Sequence, residues 1–246
     1  MEAGEEQEAL RLVREALEQD PECIEALILQ AQSQGQPEDR LEGLRKAVEI
    51  GARGIAQLDA PPGLIGLDPA ARPYLQALYS LARGLLTAGR VVDALRELEE
   101  LLVVDARDGL GVRYELTALY LTADRLADAQ RIESRYPDDQ GAFLSWARTL
   151  IYYRLGDYTT ARTHLQTARE ANPFVEEALA DPEARPERME ALHAMGDESE
   201  AQWILFHQGI AWMFNPLAVE WLEGELDPDH PDYTGPLDGC FAAFDQ

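Results

Sequence analysis

Lysine is all but missing from this chain, and cysteine is nearly so. Lys46 is the single lysine of 246 residues, so arginine supplies almost all of the 21 basic side chains that stand against 46 acidic ones. A formal net charge of −25 repels polyanions, and no run of basic residues offers a local patch to overcome it, so nucleic acid is not an expected partner. Cys23 and Cys240 lie near opposite ends, too few for a disulfide framework and without metal-ligand spacing. No apolar run nears the roughly 20 residues of a membrane span. The acidic start, Met1 to Glu8, lacks the charged-then-apolar layout of a secretion signal. Sustained period-two alternation is absent too, which argues against a β-sheet. These absences lead to the expectation of a reduced, soluble, cytoplasmic, all-α protein with no membrane partner.

What the chain does contain is a repeat. Counting back from Ala94, Ala129 and Ala161, an aromatic stands fifteen positions earlier, at Tyr79, Tyr114 and Trp146. Nine positions earlier come Leu85, Tyr120 and Tyr152, and five earlier a turn residue, Gly89, Asp124 and Gly156. Ala201 repeats only the second half, with Gly196 before it and Leu205 after. Intervals of 35, 32 and 40 residues fit a helix–turn–helix unit stacked into a solenoid. The three alanines are expected where the paired helices approach most closely.

The pattern divides the chain into four stretches. Residues 1–50 read as N-terminal helices, Glu5 to Gln19, Ile24 to Gln32 and Leu41 to Ile50, the last two forming a degenerate first repeat across Gly35-Gln-Pro37. Residues 51–72 hold Gly51, Gly54, Gly63, Gly66, Pro61, Pro62 and Pro69, too many breakers for a helix throughout. They read as an insertion, either merely tolerated or a lid that uses Leu64, Ile65 and Leu67. Residues 73–222 carry the repeats: Pro73 to Ala88 with Val91 to Val104, Gly111 to Ala123 with Leu126 to Tyr136, and Ala142 to Leu155 with Tyr158 to Ala171. A further helix follows the capping-box-like Asp197 and Glu200, then a short capping helix from Leu217 to Leu222. Residues 223–246 form an acidic tail with three prolines and no Lys or Arg, composition that disfavours a packed core.

Asp108-Gly-Leu-Gly111-Val-Arg113-Tyr114, Tyr136-Pro137-Asp138-Asp139, Ala171-Asn172-Pro173 and Gly196-Asp197-Glu198-Ser199-Glu200-Ala201 together resemble a bacterial tetratricopeptide family related to the suppressor-of-tumorigenicity proteins of eukaryotes. The resemblance covers about Arg72 to Trp221. It implies a right-handed α-solenoid of antiparallel helix pairs and no established catalytic residues.

The residues themselves give no reason to expect an enzyme, a cofactor or a metal. His164, His193, His207 and His230 are scattered, and none has a partner at zinc-ligand spacing. His207, one turn from Ile204 and Ala211, reads as a partly buried structural histidine. Asp227-Pro-Asp229-His230-Pro-Asp232 resembles a chelating string, but prolines stiffen it and the order of oxygen ligands in a calcium loop is missing. Acidic neighbours such as Glu99-Glu100 point apart on a helix. No nucleophile elbow and no phosphate-cradling glycine loop appears.

The expected function is therefore a scaffold that holds a peptide or helix of another protein in its concave groove. The residues assigned to that groove are Tyr79, Arg83, Leu86, Tyr114, Leu121, Trp146, Tyr153 and Arg154, an aromatic ladder with neighbouring arginines that suits apolar side chains and carboxylates. Leu85, Tyr120 and Tyr152 should pack inside. The opposing reading has these rings serving only as packing between adjacent repeats. Two other functions compete with the scaffold: a small-molecule or hydrolytic site between residues 51–72 and the groove, and self-association through solenoid ends. Removing the tail after Glu223 is expected to leave the melting temperature nearly unchanged, because so polar a segment buries little apolar surface. A loss of several degrees in a thermal melt would show instead that the tail docks.

Overall fold

The computed structural model describes residues 3–59, 61, 63–181, 185–186, 194–222 and 224. Among them there is no strand, only an isolated antiparallel bridge between Leu64 and Asp105. The chain forms two compact units, residues 1–112 and 113–246. The first holds α1 (Ala3–Gln19), α2 (Ile24–Gln32), α3 (Pro37–Ile55), α4 (Arg72–Thr87) and α5 (Val91–Val104). The second holds α6 (Val112–Thr122), whose first residue belongs to the other unit, α7 (Leu126–Glu133), α8 (Ala142–Arg154), α9 (Tyr158–Ala171), α10 (Phe174–Ala180), α11 (Glu198–Met213) and α12 (Pro216–Leu222). Within each unit, helices adjacent in sequence pack against one another, an arrangement compatible with an α-solenoid. No helix among the described residues is long and apolar enough to cross a membrane.

The turn residues of the repeat do the same job each time. Gly89, Asp124, Gly156 and Gly196 all adopt positive φ, between 60° and 80°. A left-handed residue after a helix lets the next amide reach back to a carbonyl that would otherwise lack a donor. Arg90 N–H donates to Leu85 O at 2.8 Å, Arg125 N–H to Tyr120 O at 2.8 Å and Asp157 N–H to Tyr152 O at 3.0 Å. The residues nine positions before each alanine are thus also the carbonyls that close each hairpin. Three of these turns use glycine, which meets no steric cost there, while Asp124 adopts the conformation without that freedom. Ala94, Ala129 and Ala161 are all wholly buried.

The first unit packs around Leu27, Leu41, Leu44, Leu81 and Leu85, with Ala31, Ala47, Ala77 and Ala94 between them. Leu86, assigned above to the groove, packs against the same cluster. Residues 51–72 are more ordered than their composition suggests. Helix α3 continues through Gly51 and Gly54 to Ile55, and 3₁₀ turns at Ile65–Leu67 and Pro69–Ala71 lead into α4. Between them the chain lies against the connection that follows α5: Ala106 N–H donates to Gly63 O at 2.8 Å, and a Cβ on Gly66 would sit 2.4 Å from the Asp105 carboxyl carbon.

The second unit adds a helix that the sequence reading passed over. Asn172 ends α9, but its side chain also accepts from Phe174 N–H at 3.0 Å, which starts α10 at once. The Asp197 cap of α11 is present, accepting from Ser199 and Glu200 amides. Glu200 does not reciprocate as in a full capping box. Its Oε2 accepts instead from Gly196 N–H and from the buried Asn172 Nδ2, tying α11 to the end of α9. Helix α7 stops at Glu133, short of Tyr136, and Arg148 donates to the Tyr136 and Asp139 carbonyls that follow. The residues from 225 onward, with Phe241, Phe244 and the Asp227–Asp232 string, lie outside the described residues, as does His193.

Two glycines of α3 separate propensity from packing. Gly to Ala within a helix ordinarily gains about 0.5–1 kcal/mol. At exposed Gly54 a Cβ meets nothing within 4 Å, so Gly54→Ala is expected to stabilise by up to that amount. At Gly51 a Cβ would come within 2.8 Å of the Tyr74 ring and 3.1 Å of Tyr74 Cα, so Gly51→Ala is expected to lower stability in a urea melt.

Candidate functional site

The eight residues assigned to the groove do not form one exposed ladder. Trp146 is 0% exposed, Leu121 and Tyr153 are 2% exposed, and such rings have no surface to offer a partner. The reason lies in α11, which packs along α8, the helix that was expected to line an open face. Trp146 meets Trp212 of α11 edge to face with ring centroids 6.1 Å apart. Gln208 of α11 donates to Phe143 O at 2.8 Å in the same interface. Tyr153 is enclosed by Tyr158 of α9 and Trp221 of α12, at 5.5 and 5.2 Å. Arg154 is committed to an ion pair with Asp124. Arg83 is exposed and Tyr79 half-buried on α4, in the other unit. Tyr120 is buried as expected, whereas Tyr152 is only partly so.

Beneath this layer a buried arginine holds the second unit together. Arg148 Nε donates to Glu133 Oε2 at 2.9 Å, both side chains at most 5% exposed. Its other nitrogens donate to backbone oxygens of Glu133, Tyr136 and Asp139, which satisfies carbonyls at the end of α7. Tyr152 OH donates to the other Glu133 oxygen at 3.3 Å, and His164 stacks on the Tyr152 ring at 5.1 Å. Burial and the Arg148 charge lower the pKa of His164. Arg148 and Glu133 are buried at its centre, with half-buried Tyr152 and His164 over them.

Of the three groove aromatics in the second unit, Tyr114 alone is half-buried rather than buried, in a setting its repeat position did not reveal. It lies in a half-buried aromatic group with Phe143 of α8 and Trp203 and His207 of α11. Ring centroids are 5.1 Å for Tyr114–Phe143, 5.9 Å for Tyr114–Trp203, 4.7 Å for Phe143–Trp203 and 5.1 Å for Trp203–His207. Arg113 lies 4.1 Å over the Tyr114 ring. Arg113 Nε and Tyr114 OH both donate to Asp139 Oδ2 at 2.8 Å. His207 is partly buried among rings, as its spacing suggested.

The electrostatics of this corner follow from burial. Burial alone would raise the Asp139 carboxyl, but the Gly141 amide, the Tyr114 hydroxyl and the Arg113 guanidinium outweigh it and hold the group below its ordinary range. The Tyr114 phenol is pushed up to about 12, first by burial and then by the Asp139 carboxylate that its proton serves.

Helix α11 explains why the aromatic group exists. Its core stripe is Ala201, Ile204, Leu205, Gln208, Ala211 and Trp212, all buried. A second apolar stripe, Trp203, Phe206, His207, Ile210, Met213 and Phe214, repeats at the same helical spacing. Met213 is 59% and Phe214 70% exposed. The second stripe is legible in the sequence as aromatic rings at i, i+3 and i+4, Trp203, Phe206 and His207. No protein-family model matches the chain, and no curated protein matches it.

Two hollows accompany these surfaces. One of about 340 Å³ lies among α10, α11 and α12. Another of about 520 Å³ lies between α2 and α3, lined by charges of both signs that include Glu42, Lys46 and Glu49. Neither of these two is lined by residues 51–72, where the competing small-molecule reading put its site.

Tyr114 and Asp139 make the corner pH-dependent in opposite directions. An unfolded tyrosine releases its proton near pH 10, whereas folded Tyr114 keeps it to about 12. Its stabilising contribution is complete below pH 10 and lost as pH rises through about 12. The Asp139 contribution is complete above the unfolded carboxyl pKa and lost as pH falls through the folded value. Urea melts of Tyr114→Phe are therefore expected to show a flatter fall in stability between pH 10 and 12 than the unaltered protein.

Proposed function

We propose that this chain is a non-catalytic scaffold for other proteins, built on the right-handed tetratricopeptide plan and binding a partner's apolar peptide or helix. One observation supports the reading above others: α11 carries two apolar stripes and uses only one of them for its own core. Burying a Phe or Met side chain releases about 1.5–3 kcal/mol, so a second stripe with Met213 and Phe214 open to water is a favourable place for a partner to lie. Half-buried Trp203, Phe206 and Tyr114 extend it with the aromatic side chains that dominate binding energy at protein interfaces.

The reading moves the contact surface from the repeat ladder to α11 and the adjoining corner of α6. It also changes the expected partner. Arg154 and Arg113 are engaged by Asp124 and Asp139, so they have little charge to spend on a partner's carboxylates, and apolar side chains become the recognised feature. The recurrent left-handed hairpin turns support the tetratricopeptide assignment, because they place the same conformation at the same step of successive units.

A double substitution on the outer stripe tests this. Phe206→Ser with Phe214→Ser is expected to abolish capture of specific partners from the native cell while far-ultraviolet circular dichroism stays unchanged. Retention of every partner by the folded variant would move the interface elsewhere. If the unaltered protein captures no partner reproducibly, the scaffold reading fails.

A further inference from the structure

Acids outnumber bases two to one in this chain, and arginines such as Arg90, Arg125, Arg148 and Arg169 pair with carboxylates. Among the described residues no carboxylate pairs with Arg185. Its stem lies across α11 at Gly209, where a Cβ would come within 3.1 Å of Arg185 Cδ. One Nη donates to Phe206 O at 3.3 Å, and Nε is closed off from solvent with no acceptor. Leaving a buried donor of a charged group unmatched is costly.

The same arginine lines the 340 Å³ cleft among α10, α11 and α12. That volume lies within the range of small-molecule sites. The other walls are mainly apolar, from Leu179, Leu205, Trp212, Met213 and Val219. Trp212 contributes a second buried donor, Nε1–H, that also lacks an acceptor. Glu220 is an exposed lining residue, where its charge disfavours a second negative charge on a ligand.

We propose that this cleft binds an apolar monocarboxylate, a medium-chain acyl acid in chemical class, with its carboxylate on the Arg185 guanidinium and its chain along Leu179, Leu205 and Val219. The charge decides the head group: an unpaired guanidinium beside apolar walls favours one anionic oxygen pair. The exposed Glu220 carboxylate disfavours a second negative charge, and so a dicarboxylate. The site adjoins the outer stripe of α11 and shares Met213 with it, but its argument does not depend on that stripe binding protein.

Titration calorimetry of the full chain with decanoate and with decanol tests it. Decanoate is expected to bind at one saturable site, decanol about tenfold or more weakly, the loss expected for a charge-assisted hydrogen bond. Arg185→Gln is expected to weaken decanoate by a similar factor, while Arg96→Gln, an exposed arginine of the other unit, leaves it unchanged. In nitrogen–proton spectra the indole N–H of Trp212 should shift on titration and that of Trp203 should not. Should Arg185→Gln fail to fold, the decanol comparison and the indole shifts decide on the unaltered protein. Equal affinity for decanol, an Arg185→Gln variant that binds like the parent, a shift confined to Trp203, or no saturable binding would each overturn the proposal.

Discussion

The last carbonyls of a helix must find donors, and in this chain one left-handed residue per hairpin meets that need. Once Gly89, Asp124 or Gly156 turns to positive φ, the next amide closes on Leu85, Tyr120 or Tyr152. The chain then reverses in the fewest residues, so the two helices meet at short range. Five residues after each turn residue stands a wholly buried alanine, Ala94, Ala129 or Ala161. Turn, crossing and period are thus one constraint seen at three positions. A substitution at any of them would be felt at the other two.

The second unit depends in addition on a buried charge. Arg148 and Glu133 are nearly fully enclosed, and such a pair contributes little net stability by itself, because desolvation offsets attraction. What Arg148 adds is geometry. By gathering oxygens from residues 133, 136 and 139 it ends α7 and sets the loop that carries Asp139. Asp139 in turn receives Arg113 and Tyr114. The near-surface corner beside α11 is therefore positioned by a group that lies beneath it.

Helix α11 links the two functional ideas, because different sides of it serve each. Leu205, Gly209 and Trp212 look into the cleft with Arg185, while Trp203, Phe206 and Phe214 belong to the outer stripe. Arg185 touches both, resting on Gly209 and donating to Phe206 O. Gly209 matters here for space alone, since a side chain would displace the arginine stem.

Period and punctuation were legible in the residues. The bounds of α5 and α9, the four turn residues and the three buried alanines followed from spacing, because local backbone geometry and close helix contact depend on nearby residues. Other features depended on what came to lie alongside. Gly51 and Gly54 look like breakers, yet α3 continues through both because Tyr74 packs tightly on one of them. Trp146 and Tyr153 hold the same repeat positions as half-buried Tyr79 and partly buried Leu86, and differ only in that α11 and α12 cover them. The sequence by itself determined helices, turns and crossings, all set by interactions a few residues apart. Only the tertiary structure decided which rings are core and that Arg185 lines a cleft without a carboxylate partner, because burial and pairing are properties of neighbours that meet across long stretches of chain.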